Sequence, residues 1–396
     1  MHFPSEIILS QMALSEAGLW PAVVNDGEQV ILAVKLSTDA LKWIHRGVPV
    51  NMLIGHVKME NAVIRILALE VFDIQTAPQH PNLPQVQSWE IEGLDVLLGE
   101  NKFTIHFHNE QFRVSTLDAT GSLPRKSVQE YLEKRKLLQF HTNPVVTGLF
   151  LKARTAFEQA VANEQLRQYP NVELFRFPIV ITNTNWNSVS VLDAGEFNPD
   201  DANEGQSHEA LLLHVLKPNF DGEVLHSPKI KDGEGTRELY DVLAISKDAF
   251  VFEAKAFSVF DKFLDQTAER KAANVMKHFE KALSQLQGAM KRLEIGAEIV
   301  SNGSSSNRIV SNQFRALHGI VLVSNTNFTL PWLEIGKKLA DAQKQQFYFH
   351  FISLSEIQRM IAFAKGSSKK LNLMFLRRAE IIASSKNAHL QTDFIP

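Results

Sequence analysis

At 396 residues the chain is too long for one typical core and about right for two domains. With 44% apolar and 21% charged residues it has the make-up of an ordinary soluble globular protein, which excludes disordered and collagen-like chains. A formal net charge of -3 gives no global attraction to nucleic acid, so any such binding has to come from a local basic surface; the lack of cysteine removes disulfides, thiolate nucleophiles and Cys-type zinc sites together.

The opening stretch "MHFPSEIILSQMALSEAGLW" lacks the basic start and apolar run of a signal peptide, and no segment approaches ~18 uninterrupted apolar residues. A cytoplasmic protein with no membrane partner is expected. Up to about residue 120 the pattern is strand, turn, strand. "AVVNDGEQVILAV" carries an Asn-Asp-Gly turn, and "KFTIHFHNEQFRVSTL" alternates around Asn109 and Glu110. Residues 1–122 therefore read as a compact antiparallel, β-rich N-terminal domain. "SLPRKSVQEYLEKRKLLQF" reads as a helix opening near Pro124 and "LFLKARTAFEQAVANEQLRQ" as another, so residues 123–169 form a helical connector.

From residue 170 to 396 strands alternate with helices, the pattern of an α/β domain. "GQSHEALLLHVL" is a short helix; "GEVLHSPKI", "YDVLAI" and "FVFEAK" are strands. In the long helix "AERKAANVMKHFEKALSQLQGAMKRLE", Ala272, Val275, Phe279, Ala282, Leu286, Ala289 and Leu293 recur at three and four and must pack on a sheet. "IGAEIVSNGSSSNRIVSNQ", rich in Ser and Asn, reads as a mobile loop. "HGIVLVSN" and "FYFHFISL" supply two more apolar strands. Ser353 and Glu356 are spaced as a capping box for the helix "SEIQRMIAFAK".

Three charges interrupt the apolar strands: Asp241, Glu253 and Lys255. Side chains alternate along a strand, so Glu253 and Lys255 share a face while Ala254 points the other way. The short connection "SKDA" makes the two strands an antiparallel hairpin, bringing Asp241 opposite the Glu253 to Lys255 segment. A two-residue turn would set Asp241 against Ala254, so a shared site requires a three- or five-residue loop or a bulge between Ile245 and Phe250. The plain reading of such a cluster is a buried salt bridge between Lys255 and one carboxylate. Two acids against one lysine, however, leave excess negative charge in a half-buried place, which costs several kcal/mol unless a cation joins them. Mg²⁺ suits carboxylate oxygens, with Mn²⁺ as its substitute.

This order of elements resembles the PD-(D/E)XK, or restriction-endonuclease-like, nuclease superfamily over about residues 200 to 360. The resemblance implies a restriction-endonuclease-like mixed sheet flanked by helices, with Glu209 as the acid of the first helix, Asp241 as the second motif and Glu253-Ala254-Lys255 as the third. Gln285 resembles the accessory polar residue that some members carry on the following helix, with Gln287 as its substitute and Glu204 as the rival of Glu209. Tyr240 stands where the name-giving proline would be. By this resemblance Asp241, Glu253 and Glu209 would hold Mg²⁺, Lys255 would orient the attacking water, and the activity would be cleavage of nucleic acid, DNA ahead of RNA, in restriction, repair or anti-phage defence. The N-terminal domain is the expected contact for a partner protein or a second copy of the chain. The rival is a nuclease fold that has lost activity and serves as a binding or scaffold protein.

Other features are weaker. Histidines 106 and 108 share a strand face but have no third metal ligand nearby in sequence. "EKRK" at 133 to 136, "SSKK" at 367 to 370 and Arg377-Arg378 are local basic clusters suited to phosphates or to plain solvation. Neither "GxxxxGK[ST]" nor "GxGxxG" occurs, so no ATPase or dinucleotide site is indicated.

Overall fold

The computed structural model describes residues 6–15, 17–24, 29–60, 62–72, 80–109, 117–142, 147–163, 170–186, 204–232, 235–255, 266–296, 298–300, 306–308, 314–323, 330–344 and 346–390. The protein is mixed α/β and divides into two compact units, one holding the described residues up to Trp186 and the other those from Glu204 onward.

The first unit runs α1 (Glu6–Leu14), β1 (Gly18–Val24), β2 (Gln29–Lys35), α2 (Thr38–His45), β3 (Val50–Met59), β4 (Ala62–Val71), β5 (Asn82–Pro84), α3 (Ser88–Gly99), β6 (Phe103–His108), β7 (Leu117–Ser122), α4 (Arg125–Arg135), α5 (Thr147–Ala162) and β8 (Val172–Trp186). Its eight-stranded sheet has the order β1-β2-β6-β7-β8-β3-β4-β5. Two expectations are corrected here. The sheet is not wholly antiparallel, because β2 and β6 pair in parallel with Leu32 opposite Ile105. Nor are residues 123–169 a connector before a new domain at 170. Phe150, Ala153 and Phe157 of α5 pack on Leu53, Val57, Ile64 and Ile66, and β8 is inserted between β7 and β3. The ring of Phe157 lies so close to Gly55 of β3 that a Cβ there would come within 2.3 Å of it. From α4, Tyr131 reaches His56 of β3 at 3.1 Å.

The second unit runs α6 (Glu204–Leu216), β9 (Glu223–His226), β10 (Lys229–Asp232), β11 (Gly235–Glu238), β12 (Val242–Ile245), β13 (Ala249–Lys255), α7 (Ala268–Glu294), β14 (Glu298–Val300), β15 (Ser306–Arg308), β16 (Leu317–Val323), α8 (Trp332–Ala342), β17 (Phe347–Ser353), α9 (Leu354–Ala364) and α10 (Ser368–Ser385). Its main sheet has the order β17-β16-β13-β12-β9, with β13, β16 and β17 parallel and β12 and β9 antiparallel to their neighbours. One face carries α7, whose Val275, Phe279, Ala282, Leu286, Ala289 and Leu293 pack with Leu243, Val251 and Val321. The other carries Leu212 and Leu216 of α6 with Met360 of α9 and Phe375 of α10, against Val242, Ala244, Phe250 and Phe252.

Two local readings also change. Within "GEVLHSPKI", Ser227 adopts a positive φ of 43° and divides the stretch into β9 and β10. The Ser/Asn-rich segment after α7 contributes β14 and β15 to a small sheet of order β11-β10-β14-β15, while 297, 301–305 and 309–313 lie outside the described residues. Ser353 does cap α9, its Oγ accepting from the Glu356 amide at 3.1 Å. The Glu356 carboxylate, however, turns to Arg378, which is buried and donates to it at 2.5 Å. Arg378 is thereby a core residue and not part of a phosphate-facing cluster. No described helix is long and apolar enough to cross a membrane.

His318 of β16 and His350 of β17 lie fully buried in this unit. His318 Nε2 donates to Asn372 Oδ1 (2.7 Å) and its Nδ1 stands 3.1 Å from His350 Nε2, a chain that suits two neutral rings. Burial pushes His318 down to about 4 and His350 well below the usual imidazole range. Because the folded values are lowered, the unfolded chain takes up protons first. The stability these rings allow is intact above about pH 6.5 and is lost as pH falls toward 4, by on the order of 3 kcal/mol for His318. The melting temperature is expected to drop across that interval, while the NMR signals of both rings stay unshifted down to about pH 5. Ring signals that both titrate near pH 6.5 contradict this packing.

Candidate active site

The β12 to β13 hairpin sets the site. Val242 pairs with Phe252, Leu243 with Val251, Ala244 with Phe250 and Ile245 with Ala249, leaving Ser246, Lys247 and Asp248 as a three-residue loop. This is one of the connections that a shared site requires. Extended by one position, the register sets Asp241 against Glu253, and alternation puts Lys255 on that same face. The loop is pinned by Asp248, fully buried, which accepts from Arg315 at 2.5 Å; Arg315 in turn donates its amide to Lys247 O. At the other end Asp241 Oδ2 accepts from the Ala254 amide at 2.6 Å.

Around that register the charges converge. Glu253 is 4% exposed, and its Oε1 accepts from Lys255 Nζ at 2.5 Å. The carboxyl of Asp241 is pushed up to about 7, first by burial and then by the negative charge of Glu253. Glu209 of α6 adds to that push, while the Ala254 amide and Lys255 oppose it. Glu253, Glu209 and Lys255 thus each act electrostatically on Asp241. Glu209 is itself partly buried and its Oε2 lies 3.3 Å from Nε2 of His226. The side chain of its rival Glu204 lies outside the described residues. Tyr240, in the position of the name-giving proline, packs into the core on the α7 side.

Two histidines join the site that strand and helix patterning did not single out. His226 ends β9 directly opposite Val242, and so abuts Asp241, whose carbonyl accepts from Ser227 N at 2.8 Å. His278 of α7 is lowered, first by burial and then by the positive charge of Lys255. A lone histidine on an edge strand or an exposed helix flank carries no periodic signal. Seven residues beyond His278, on the same side of the helix and ~10 Å farther along, Gln285 is exposed, and Gln287 is half-buried. The charge of Lys255 is felt at His278, and Gln285 stands two turns farther along the helix.

Several of the remaining candidates have partners of their own. His106 Nδ1 is 2.5 Å from Asp118 in the first unit. In the 133 to 136 cluster, Arg135 pairs with Asp95, Lys134 lies over the Phe175 ring and Lys136 pairs with Glu133.

The donor set fits a hard divalent ion by its chemistry. Asp241 lies one position beyond the paired register and feels the charges of Glu253 and Glu209, with Lys255 offsetting them. Among the described residues no three His, Asp or Glu side chains close on one point. Mg²⁺ is commonly held by one or two carboxylates, with waters and substrate oxygens completing the shell, and Asp241 and Glu253 are two such carboxylates. Comparison of the chain with protein-family models, curated proteins and solved structures gives no match.

Because the folded value of Asp241 is raised, its stabilising share is fully present below about 3.8 and is lost as pH rises through about 7. Asp241→Asn keeps an acceptor for the Ala254 amide and never charges. The ion-free variant should melt at a higher temperature than the parent at about pH 8, with the gap narrowing steadily toward about pH 4. A variant that melts lower at about pH 8 contradicts the crowding of these carboxylates.

Proposed function

We propose that the chain is a metal-dependent nuclease of the PD-(D/E)XK, restriction-endonuclease-like type, with the unit from Glu204 onward as its catalytic domain. The observation that carries this reading is the hairpin register, which sets Asp241 against Glu253 with Lys255 on the same face and the charge of Glu209 in reach. Asp241 and Glu253 would hold Mg²⁺, or Mn²⁺ in its place, with Glu209 as the third acid. Bound there, the ion supplies Lewis acidity that polarises a scissile phosphate and lowers the pKa of a water. Lys255, whose Nζ lies on Glu253, would direct that ammonium at the attacking water and favour its hydroxide form by positive charge. His226 fixes the carboxylate of Glu209 through its Nε2. The Ala254 amide keeps Asp241 oriented.

The substrate in this reading is nucleic acid, DNA ahead of RNA, and the setting is restriction, repair or anti-phage defence in the cytoplasm. The first unit serves recognition or assembly, with a partner protein or a second copy of the chain. A second reading draws on the 2.5 Å contact of Lys255 with Glu253: the charges are structural, and the protein is an inactive nuclease fold that binds or scaffolds.

One set of measurements separates the two. Plasmid, linear and single-stranded substrates should be cut with Mg²⁺ and left intact with EDTA. Asp241→Ala, Glu253→Ala and Lys255→Ala should each lower cleavage by ~10²-fold or more while binding and folding survive. If Lys255 is only a counter-ion, Lys255→Ala leaves a buried acid unpaired at ~3–5 kcal/mol. Destabilised variants of a parent that never cuts would therefore sink the nuclease reading.

A further inference from the structure

Helix α7 is the most cationic element beside the site. Its 27 residues carry six Lys and Arg against three Glu, in a chain whose formal net charge is -3. Apart from Lys291, which lies beside the acids, the exposed charges are also sorted around its axis. At 3.6 residues per turn, the exposed Arg270, Lys277, Lys281 and Gln285 fall within about 80° of one another. Glu269, Glu280 and Glu294, exposed too, cluster within about 40° on the other flank of the solvent-facing arc. Of those acids, Glu280 is already met by Lys338 of α8 at 2.8 Å. The cationic flank has no acid on it.

That flank borders the site. The buried stripe of α7 packs on the face of the sheet that carries Glu253 and Lys255, and His278 lies at the edge between this stripe and the cations. The charge of Lys255 acts on His278, as do Lys277 and Lys281. Three long cationic side chains span ~16 Å of helix from Lys281 to Arg270, on the flank next to the stripe that packs on the Glu253 and Lys255 face of the sheet. A solvated helix face has no need to keep its acids off one flank. Alternating signs would serve solubility better and add i,i+4 pairs.

Resting on the nuclease reading above, we infer that the α7 flank formed by Arg270, Lys277 and Lys281, with Gln285 at its end, binds the phosphodiester backbone of the substrate and guides it to Lys255. The partner is a polyanion with regularly spaced charge, the form to which a row of point cations is complementary. Its recognition is independent of sequence, since these side chains address phosphates and not base edges.

The test is equilibrium binding of the full chain, in EDTA, to a fluorescent duplex and to the single strand of the same sequence over a salt series. The Arg270→Gln/Lys277→Gln/Lys281→Gln variant should weaken binding by ~10-fold or more, and should lower the salt slope by ~2 to 3 as three phosphate contacts are lost. Lys369→Gln/Lys370→Gln on α10 should leave both quantities unchanged. The arm with the larger loss identifies whether a duplex or a single strand lies on the flank. An unchanged slope in the triple variant overturns the inference, as does an equal loss in the α10 control or equal displacement by polyglutamate. A parent that binds through this flank but never cuts with Mg²⁺ removes the nuclease reading and keeps the track. A parent that cuts while the triple variant binds normally removes the track alone.

Discussion

The register between β12 and β13 is held by a carboxylate at each end. At the loop, buried Asp248 accepts from Arg315, so the three-residue turn cannot shorten without breaking an ion pair. At the opposite end Asp241 takes the Ala254 amide. The side-chain period of a strand is two, so a slip by one residue would send Asp241 to the α6 side and leave Glu253 facing α7 alone. Everything proposed for this protein depends on that slip not occurring. The parallel pairing of β13 with β16 holds the same strand from its other side, with Glu253 opposite Val321.

The same arrangement is costly to the folded chain. Asp241 and Glu253 crowd in a partly buried place with one lysine, and the price appears at Asp241, whose carboxyl resists ionisation. The surroundings compensate where they can: Lys255 lies on Glu253 and His226 on Glu209. Along the middle of β12 and β13 the side chains on both faces are apolar, so the crowding of charge is confined to the ends of these strands. Local rules of good packing are most often broken where a chain does chemistry, and an ion bound between the carboxylates would reverse the sign of the interaction.

Much of this was legible in the sequence, and the reasons are local. Glu253 and Lys255 stand two apart in an apolar run, the "SKDA" connection limits the loop, and the α7 stripe repeats at three and four. What escaped was non-local. Nothing in "FRFPIVITNTNW" announces that β8 pairs with β3, more than a hundred residues earlier, so local patterning puts the domain boundary ahead of a strand that belongs to the first sheet. The parallel partner of β2 lies across α2, three strands and α3. β14 and β15 hide in a Ser/Asn-rich stretch because three-residue strands on a small sheet carry no alternation. His226 and His278 carry meaning only once β9 and α7 are docked.

The most direct measurement is a crystal of the protein grown with Mn²⁺ and examined for anomalous scattering. The account predicts a single strong peak between the carboxylates of Asp241 and Glu253, with Lys255 Nζ moved away from Glu253. Saturating Mn²⁺ with no peak at these two residues, and the Lys255 to Glu253 pair intact, would contradict it.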